Sequence, residues 1–284
     1  MQRKIIKSAL ILLAVFAIFI SILPSLLSGA GLHPEYKGEK ITLKKGKKAL
    51  IITTSHSVLA APGEQEGNAT GVFASEMTHP YYNFLDAGMS VDVASIKGGE
   101  IPVEPQSLSF IIRTADDERF MSDEVLLNKV QNSLLIDDVD FTKYDAIFLA
   151  GGWGAAYDLG QSKVLAEKIS QAFYAPNSPV MGSVCHGALG FIQAKDNQGK
   201  LLIAGRKMTG VTDKQIKELD IEVTPLHPET ELRKAGVIYS SETAFLDIFA
   251  TSVVVDNEKR FVTGQNQNSG HDTAQAMLAI IANK

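Results

Sequence analysis

The chain is predicted to form an α/β domain, with a doubly wound, mostly parallel sheet flanked by helices and one N-terminal transmembrane helix ahead of it. Three observations lead there. Short continuous apolar runs such as Ala49-Leu-Ile-Ile52 and Ala146-Ile-Phe-Leu149 match parallel strands covered on both faces. Helix-length segments alternate with these runs along most of the chain. Turns rich in glycine, or bearing the only cysteine, fall at the carboxyl ends of the runs, where open α/β sheets bind their ligands.

Each element has its own signal. Ser8 to Leu27 is uncharged; as a helix rising about 1.5 Å per residue it covers roughly 30 Å, the thickness of a hydrocarbon core. Arg3, Lys4 and Lys7 precede it and are expected to stay cytoplasmic. The domain then lies on the periplasmic side of a bacterial inner membrane as a single-pass protein. Ser28-Gly29-Ala30 offers small residues at signal-peptidase spacing, and Pro24 is expected to break the helix just before it. Cleavage near Ala30 is therefore the alternative, though the run is longer than the usual core of a cleaved signal. Residues 1–30 are thus an anchor or signal, 31–46 a polar linker leading to an edge strand, and 47–284 the domain. Within the domain, strands are expected at Lys48 to Thr54, Met89 to Ser95, Tyr144 to Ala150, Ser178 to Val184 and Leu201 to Thr209. A hairpin about Asp256-Asn257 joins Ser252–Asp256 to Arg260–Gly264. Helices are expected at Gly71 to Ala87, starting near Thr70, and at Ser122 to Asn132, with Ser122 as cap. Two more are expected at Ser162 to Tyr174 and His271 to Asn283.

Composition narrows the function classes. The 284 residues are 45% hydrophobic and 21% charged with net charge −5, ample for one large core. The three basic residues at the N-terminus leave an acidic body with no basic stripe, which argues against a nucleic-acid partner. One cysteine cannot form an intramolecular disulfide.

That cysteine, Cys185, lies in Pro179-Val-Met-Gly-Ser-Val-Cys-His-Gly-Ala-Leu-Gly190. An apolar strand running into Cys185-His186-Gly187 and then a helix-like segment is the layout of a nucleophile elbow. Small neighbours permit the strained turn, and a helix start aimed at the sulfur is expected to lower its pKa. A buried, inert cysteine is the alternative.

Four motifs occur in order: Thr70-Gly-Val-Phe-Ala-Ser-Glu76 with His79-Pro80, Ala150-Gly-Gly-Trp-Gly154 with Asp158, Val184-Cys-His-Gly187, and Val262-Thr-Gly-Gln-Asn266. Together they resemble the PfpI/ThiJ superfamily from about Lys47 onward, and within it the branch with glutathione-independent glyoxalases and heat-shock chaperones. The resemblance implies the fold of class I glutamine amidotransferases, a flavodoxin-like sheet. It implies Cys185 as nucleophile, His186 as base, and Glu76 as a carboxyl beside the sulfur, protonated because like charges disfavour each other's ionisation. Gly152 and the amide after Cys185 would form an oxyanion hole, with Trp153 and Gly187 lining the substrate site. Two departures stand out. Trp153 occupies a position that is histidine in glyoxalase-type members. The acid that orients the catalytic histidine falls on Ile216, leaving Asp213 as the substitute and Glu218 as a weaker one.

His56, His79, His227 and His271 show no metal-ligand spacing, and no metal, nucleotide or other cofactor is expected. Asn266 to Gly270 is expected to be a polar turn at the rim of the site. The expected activity is conversion of a small reactive carbonyl, methylglyoxal to lactate, by Cys185 and His186. A redox or stress sensor or holding chaperone is the main alternative, and an amidase or peptidase a further one. A homodimer is implied by the resemblance.

Overall fold

The computed structural model describes residues 2–34 and 36–284; the side chains of residues 1–5, Arg3 and Lys4 among them, lie outside the described residues. Helix α1 spans Gln2–Gly29 and runs through Pro24 without breaking, correcting the expected break there. A proline removes one donor, while the ladder resumes beyond it, where Ala30 N donates to Leu26 O at 3.0 Å. The segment Ile6–Gly29 has mean hydropathy 2.8, none of it is buried against the domain, and it is long and apolar enough to cross a membrane. The strand to which residues 31–46 lead lies inside the sheet and not at its edge, and the linker is not a free spacer. Leu32 is buried, Ile41 and Leu43 pack on the core, and Leu43 N donates to Ala87 O at 2.8 Å.

The domain begins with β1 (Lys48–Thr53), whose alternate residues feed both faces: Ala49 and Ile51 join one apolar cluster, Leu50 and Ile52 the other. Helix α2 (Ala74–Asp86) starts later than predicted because Gly71 to Phe73 stay extended. Val72 N donates to Pro102 O at 2.8 Å, and Glu104 N donates to Val72 O at 2.9 Å. Strand β2 (Ser90–Ser95) leads to α3 (Ala115–Phe120), closed by a Thr114/Asp117 capping box, and α4 (Glu124–Gln131). The cap of α4 is Asp123, not Ser122: its carboxylate accepts from Val125 N at 3.0 Å and Leu126 N at 3.2 Å. A carboxylate at a helix N-terminus also complements the dipole.

Strands β3 (Leu134–Leu135) and β4 (Ala146–Leu149) precede α5 (Lys163–Phe173), capped by Ser162 as predicted, and β5 (Val180–Val184). The run Leu201 to Thr209 contributes only Lys207–Met208, paired with Ile238–Tyr239 in a small separate sheet. Leu202 and Ile203 are buried, so the apolar signal there marks core-filling turns. Helices α6 (Asp213–Glu218) and α7 (Pro228–Lys234) follow. The hairpin of β6 (Val253–Val255) and β7 (Phe261–Gly264) turns where Asp256 accepts from Phe261 N at 2.8 Å. Helix α8 (Gly270–Ala282) closes the described fold.

The seven strands are ordered β6-β7-β5-β4-β1-β2-β3, all parallel except the β6–β7 pair. The chain starts at β1, runs outward through β2 and β3, then returns to β4 on the other side. The switch point therefore lies between β1 and β4, and Cys185 ends the neighbouring β5.

The turn after β5 folds over the end of β4. A Cβ at Gly187 would overlap the Leu149 carbonyl oxygen and lie 2.8 Å from its carbon. Gly187→Ala must push the turn off the sheet, and overpacking of this kind costs about 2–3 kcal/mol. A thermal melt should fall by roughly 4–12 °C, at about 2–4 °C per kcal/mol for a domain of this size; an unchanged melt would show that the turn is not held by this contact.

Candidate active site

Cys185 sits at the apex of the β5 turn with φ +55°, in the left-handed region. A non-glycine residue held there is strained by its Cβ. The helix-like segment after it, Cys185–Phe191, is a 3-10 helix of 7 residues, so the α-helical dipole expected at the sulfur is absent. Cys185 is 5% exposed and His186 is fully buried. Burial raises the thiol pKa well above the ordinary value, Glu76 pushes it the same way, and the amides of His186 and Gly152 oppose the rise. The predicted lowering is thus corrected: the resting group is a thiol, and two amides wait for it to become charged.

Glu76, in the first turn of α2, is 1% exposed. Its carboxyl approaches the Cys185 sulfur and the Gly151 and Gly152 amides, yet Oε2 has no aligned hydrogen-bond partner. These contacts therefore offset little of the burial cost, and burial carries its pKa to about 8. The carboxyl is protonated at neutral pH, as expected, though mainly because it is dry. Backbone space dictates the paired glycines beside it. A Cβ on Gly151 would overlap Glu76 Oε2 and come within 2.8 Å of both His186 N and Val184 O. Gly152 has φ +97°, and a Cβ there would press on Gly71 O and Val72 C.

His186 Nδ1 lies 3.4 Å from Cys185 Sγ, within hydrogen-bond reach for sulfur. Burial, and then the field of His227, lower its pKa to about 3, so a neutral imidazole faces a neutral thiol. Its Nε2 is buried without a partner. Asp213 does not supply one: it is exposed, and Oδ2 accepts from Thr230 Oγ1 at 2.6 Å. The expectation that Asp213 orients His186 is corrected, because as the first residue of α6 it turns toward α7. Glu218, the weaker candidate, accepts from Asp247 N at 2.7 Å. Ile216 is fully buried in the apolar cluster that also holds Cys185 and Trp153, the latter 9% exposed. Gly187 is buried too, and its observed role is the close approach to Leu149.

The surrounding polar residues hold loops in place. Asp158 accepts from Ser55 N at 2.8 Å, and burial raises its pKa to about 6. The Asn266 amide donates to Ala250 O at 2.7 Å and Asp247 O at 3.0 Å, giving the polar turn a structural task. His227 stands at the N-terminus of α7, and no spacing in the sequence links it to His186.

A metal-competent group was also missed. His79, Asp116 and His271 bring one ligand atom each within 4.8 Å of one another, around a cavity of about 950 Å³ that His33 and Lys40 also line. The two imidazoles stack at 3.9 Å and 24°, so their in-plane lone pairs lie in nearly parallel planes. His271 Nδ1 is also engaged by the Asn83 amide at 2.8 Å. In this arrangement the set does not form a coordination sphere.

Between pH 4.5, the carboxyl's ordinary value, and about 8, the folded state holds a proton on Glu76 that the unfolded chain releases. The stability tied to that proton is complete below 4.5 and lost as pH rises through 8. Glu76→Gln removes the dependence. At about 1.4 kcal/mol per pH unit, discounted for coupling to Cys185, the variant should gain on the order of 2–4 kcal/mol over wild type at pH 9 and little at pH 4.5. Chemical denaturation at the two pH values measures this; equal differences at both would mean the carboxyl is not buried neutral.

Known proteins share this arrangement of strands and turns. Residues 68–280 match the DJ-1/PfpI family. The glutathione-independent glyoxalase HSP31 of Saccharomyces cerevisiae is 28% identical over 247 residues, 84% of this chain and 99% of the relative. Glyoxalase 3 of Candida albicans is 30% identical over 241 residues, 82% and 97% of the two chains. The Rapid Encystment Protein 24 KDa of Francisella tularensis superposes with TM-score 0.75 at 32% identity, over 83% of this chain and 99% of its own. With one family covering the elbow, the Glu76 helix and every strand of the sheet except β1, the chain belongs to the DJ-1/PfpI family.

Proposed function

We propose that this chain is a glutathione-independent, glyoxalase-like enzyme acting on small reactive carbonyls, and that α1 anchors it in a membrane. The observation that carries the chemistry is the buried triplet of Cys185, His186 and Glu76: thiol, neutral imidazole at 3.4 Å, and protonated carboxyl. Relatives matched over nearly their whole length are named a glutathione-independent glyoxalase and a glyoxalase 3, which supports the substrate class.

The steps follow from the ionisation states. As the aldehyde carbon of methylglyoxal meets Sγ, the thiol proton passes to His186 Nδ1 and a C–S bond forms. The carbonyl oxygen takes the charge beside the Gly152 and His186 amides, then the proton, giving a hemithioacetal. A base removes the hydrogen from that carbon, and the electron pair moves to the neighbouring ketone as an enediol. Reprotonation at the former ketone carbon, with Glu76 as the nearby proton carrier, leaves a lactyl thioester. Water cleaves it to lactate and the free thiol. The sum is methylglyoxal plus water to lactate, with no net redox change. The basic residues before α1 favour a domain on the periplasmic face of a bacterial inner membrane; cleavage near Ala30 is the alternative.

One observation favours a second reading. A thiol raised in pKa by burial, beside an imidazole whose Nε2 is unpaired, favours slow or absent turnover, which the non-catalytic sensor or holding-chaperone reading expects.

Lactate formation from methylglyoxal without glutathione tests both. Wild type should produce lactate, Cys185→Ala should fall at least about 10³-fold, the scale of losing a nucleophile, and Asp213→Ala should stay within about twofold, since that side chain faces Thr230. No lactate from folded wild type would transfer the case to the sensor reading.

A further inference from the structure

We propose that two loops of the domain, tipped by Phe110–Ile111 and Phe245–Leu246, dock on the surface of a phospholipid bilayer. The inference rests on the reading above that α1 is a membrane anchor, and adds to it a second contact made by the domain itself.

Single exposed apolar residues are ordinary on a protein surface, so their placement decides what they mean. This domain otherwise keeps its phenylalanines covered. Among the described residues outside α1, the exposed phenylalanines are Phe110 at 53% and Phe245 at 94%. Each is followed by an exposed aliphatic side chain, Ile111 or Leu246. Both pairs belong to loops that meet the end of α1.

Ile111 and Arg113, in the first loop, line the same cavity as Pro24, Ser25 and Ser28 of α1. The apolar segment Ile6–Gly29 has 24 residues. As a helix it measures about 36 Å, against a hydrocarbon core of about 30 Å. The surplus is about one turn, the length from Ser25 to Gly29. That turn falls near the headgroups, and the loop beside it falls there too. The second loop joins the chain just beyond α1. Asn268 donates to both Gly31 O and Ile248 O, at 3.2 and 2.6 Å. Phe249 Cβ lies 3.9 Å from the Cβ position of Gly31.

The main chain of both tips is closed into turns. Ile112 N and Arg113 N donate to Ser109 O at 3.0 and 2.9 Å. Ala244 N donates to Asp247 Oδ1 at 3.1 Å, and Phe249 N to Leu246 O at 3.0 Å. Ordering of these backbones is therefore already met before any contact forms. The cations behind the tips are paired, Arg113 with Glu118 and Lys214 with Asp247, so the contact is apolar in character. Apolar side chains at such a surface sit about 5–10 Å into the boundary between headgroups and acyl chains. A second copy of the chain could also cover them, but the position of both loops beside an apolar spanning segment favours lipid.

The test places the full chain in phosphatidylcholine–phosphatidylglycerol vesicles with ordinary or brominated acyl chains and reads tryptophan fluorescence. Trp153 is the only native tryptophan and is 9% exposed, so wild type sets the baseline. Phe110→Trp and Phe245→Trp each add a reporter at an exposed site, where the melting temperature should stay at the wild-type value. Leu13→Trp, in the middle of α1, reports the anchor. Brominated lipid should quench the added fluorescence of both loop reporters by about half or more, given insertion of about 5–10 Å, and leave wild type unquenched. Quenching of Leu13→Trp without quenching of the loop reporters would overturn the docking and leave the anchor in place. Quenched loop reporters with an unquenched Leu13→Trp would keep the docking and remove the anchor. A loop reporter whose emission shifts to the blue yet escapes quenching would mean that a second copy covers the loop, which overturns the proposal.

Discussion

A carboxyl and a thiol share one dry pocket at the end of β5, and the rest of the site answers to that constraint. Neither group ionises cheaply there: burial raises Glu76 to about 8 and raises Cys185 as well. Two anions in contact in a low dielectric would repel strongly, so Glu76 keeps its proton while the sulfur changes charge. On the proposed mechanism, this division makes the carboxyl a donor and leaves nucleophile activation to His186. It also makes activation local and brief, since the thiolate is favoured only when a substrate accepts its electrons or His186 holds its proton.

Such a pocket can exist only if backbone fills the space that side chains would otherwise occupy. Gly151 lets the Glu76 carboxyl come against the β4 turn, and Gly187 lets the Cys185 turn sit on the Leu149 carbonyl. The strained φ of Cys185 is held by this packing and by the fully buried strands β4 and β5. Strain is kept where surrounding structure over-determines it. The cost of the closed site is proton access, because His186 has no exposed surface. Its Nε2 is buried without a hydrogen-bond partner, and Asp213 is turned away toward Thr230.

The central strands were legible because strands buried on both faces read as unbroken apolar runs, and β1, β4 and β5 each do. The elbow and the Gly-Gly turn were legible because steric demands on the backbone leave glycine in the sequence. The missed features depend on partners far along the chain. The extended stretch Gly71 to Phe73 pairs with Val103, a contact no local pattern announces, so α2 was started too early. Leu202 and Ile203 are apolar because they fill the core, and periodicity cannot tell core turns from a strand. Asp213 had the right chemistry and the wrong direction, since a helix first turn aims its side chain by the placement of α6 against α7. The stacked pair His79 and His271 joins α2 to α8, two elements from opposite ends of the domain.

The same polar turn that supports the site also receives the N-terminal helix. Asn268 donates to Gly31 O at 3.2 Å and to Ile248 O at 2.6 Å, and its carbonyl accepts from His33 N at 2.9 Å. Asn266, two residues earlier, ties the turn to Ala250 and Asp247. The end of α1 is therefore fastened to the domain by hydrogen bonds, and Leu32 is buried on it. Were α1 to span a bilayer, the domain would stand close to the membrane surface, because the linker is tied to it at Leu32, Ile41 and Leu43. A flexible tether would let the site sample all directions. Here the residues just after α1 are instead tied to the domain through Asn268.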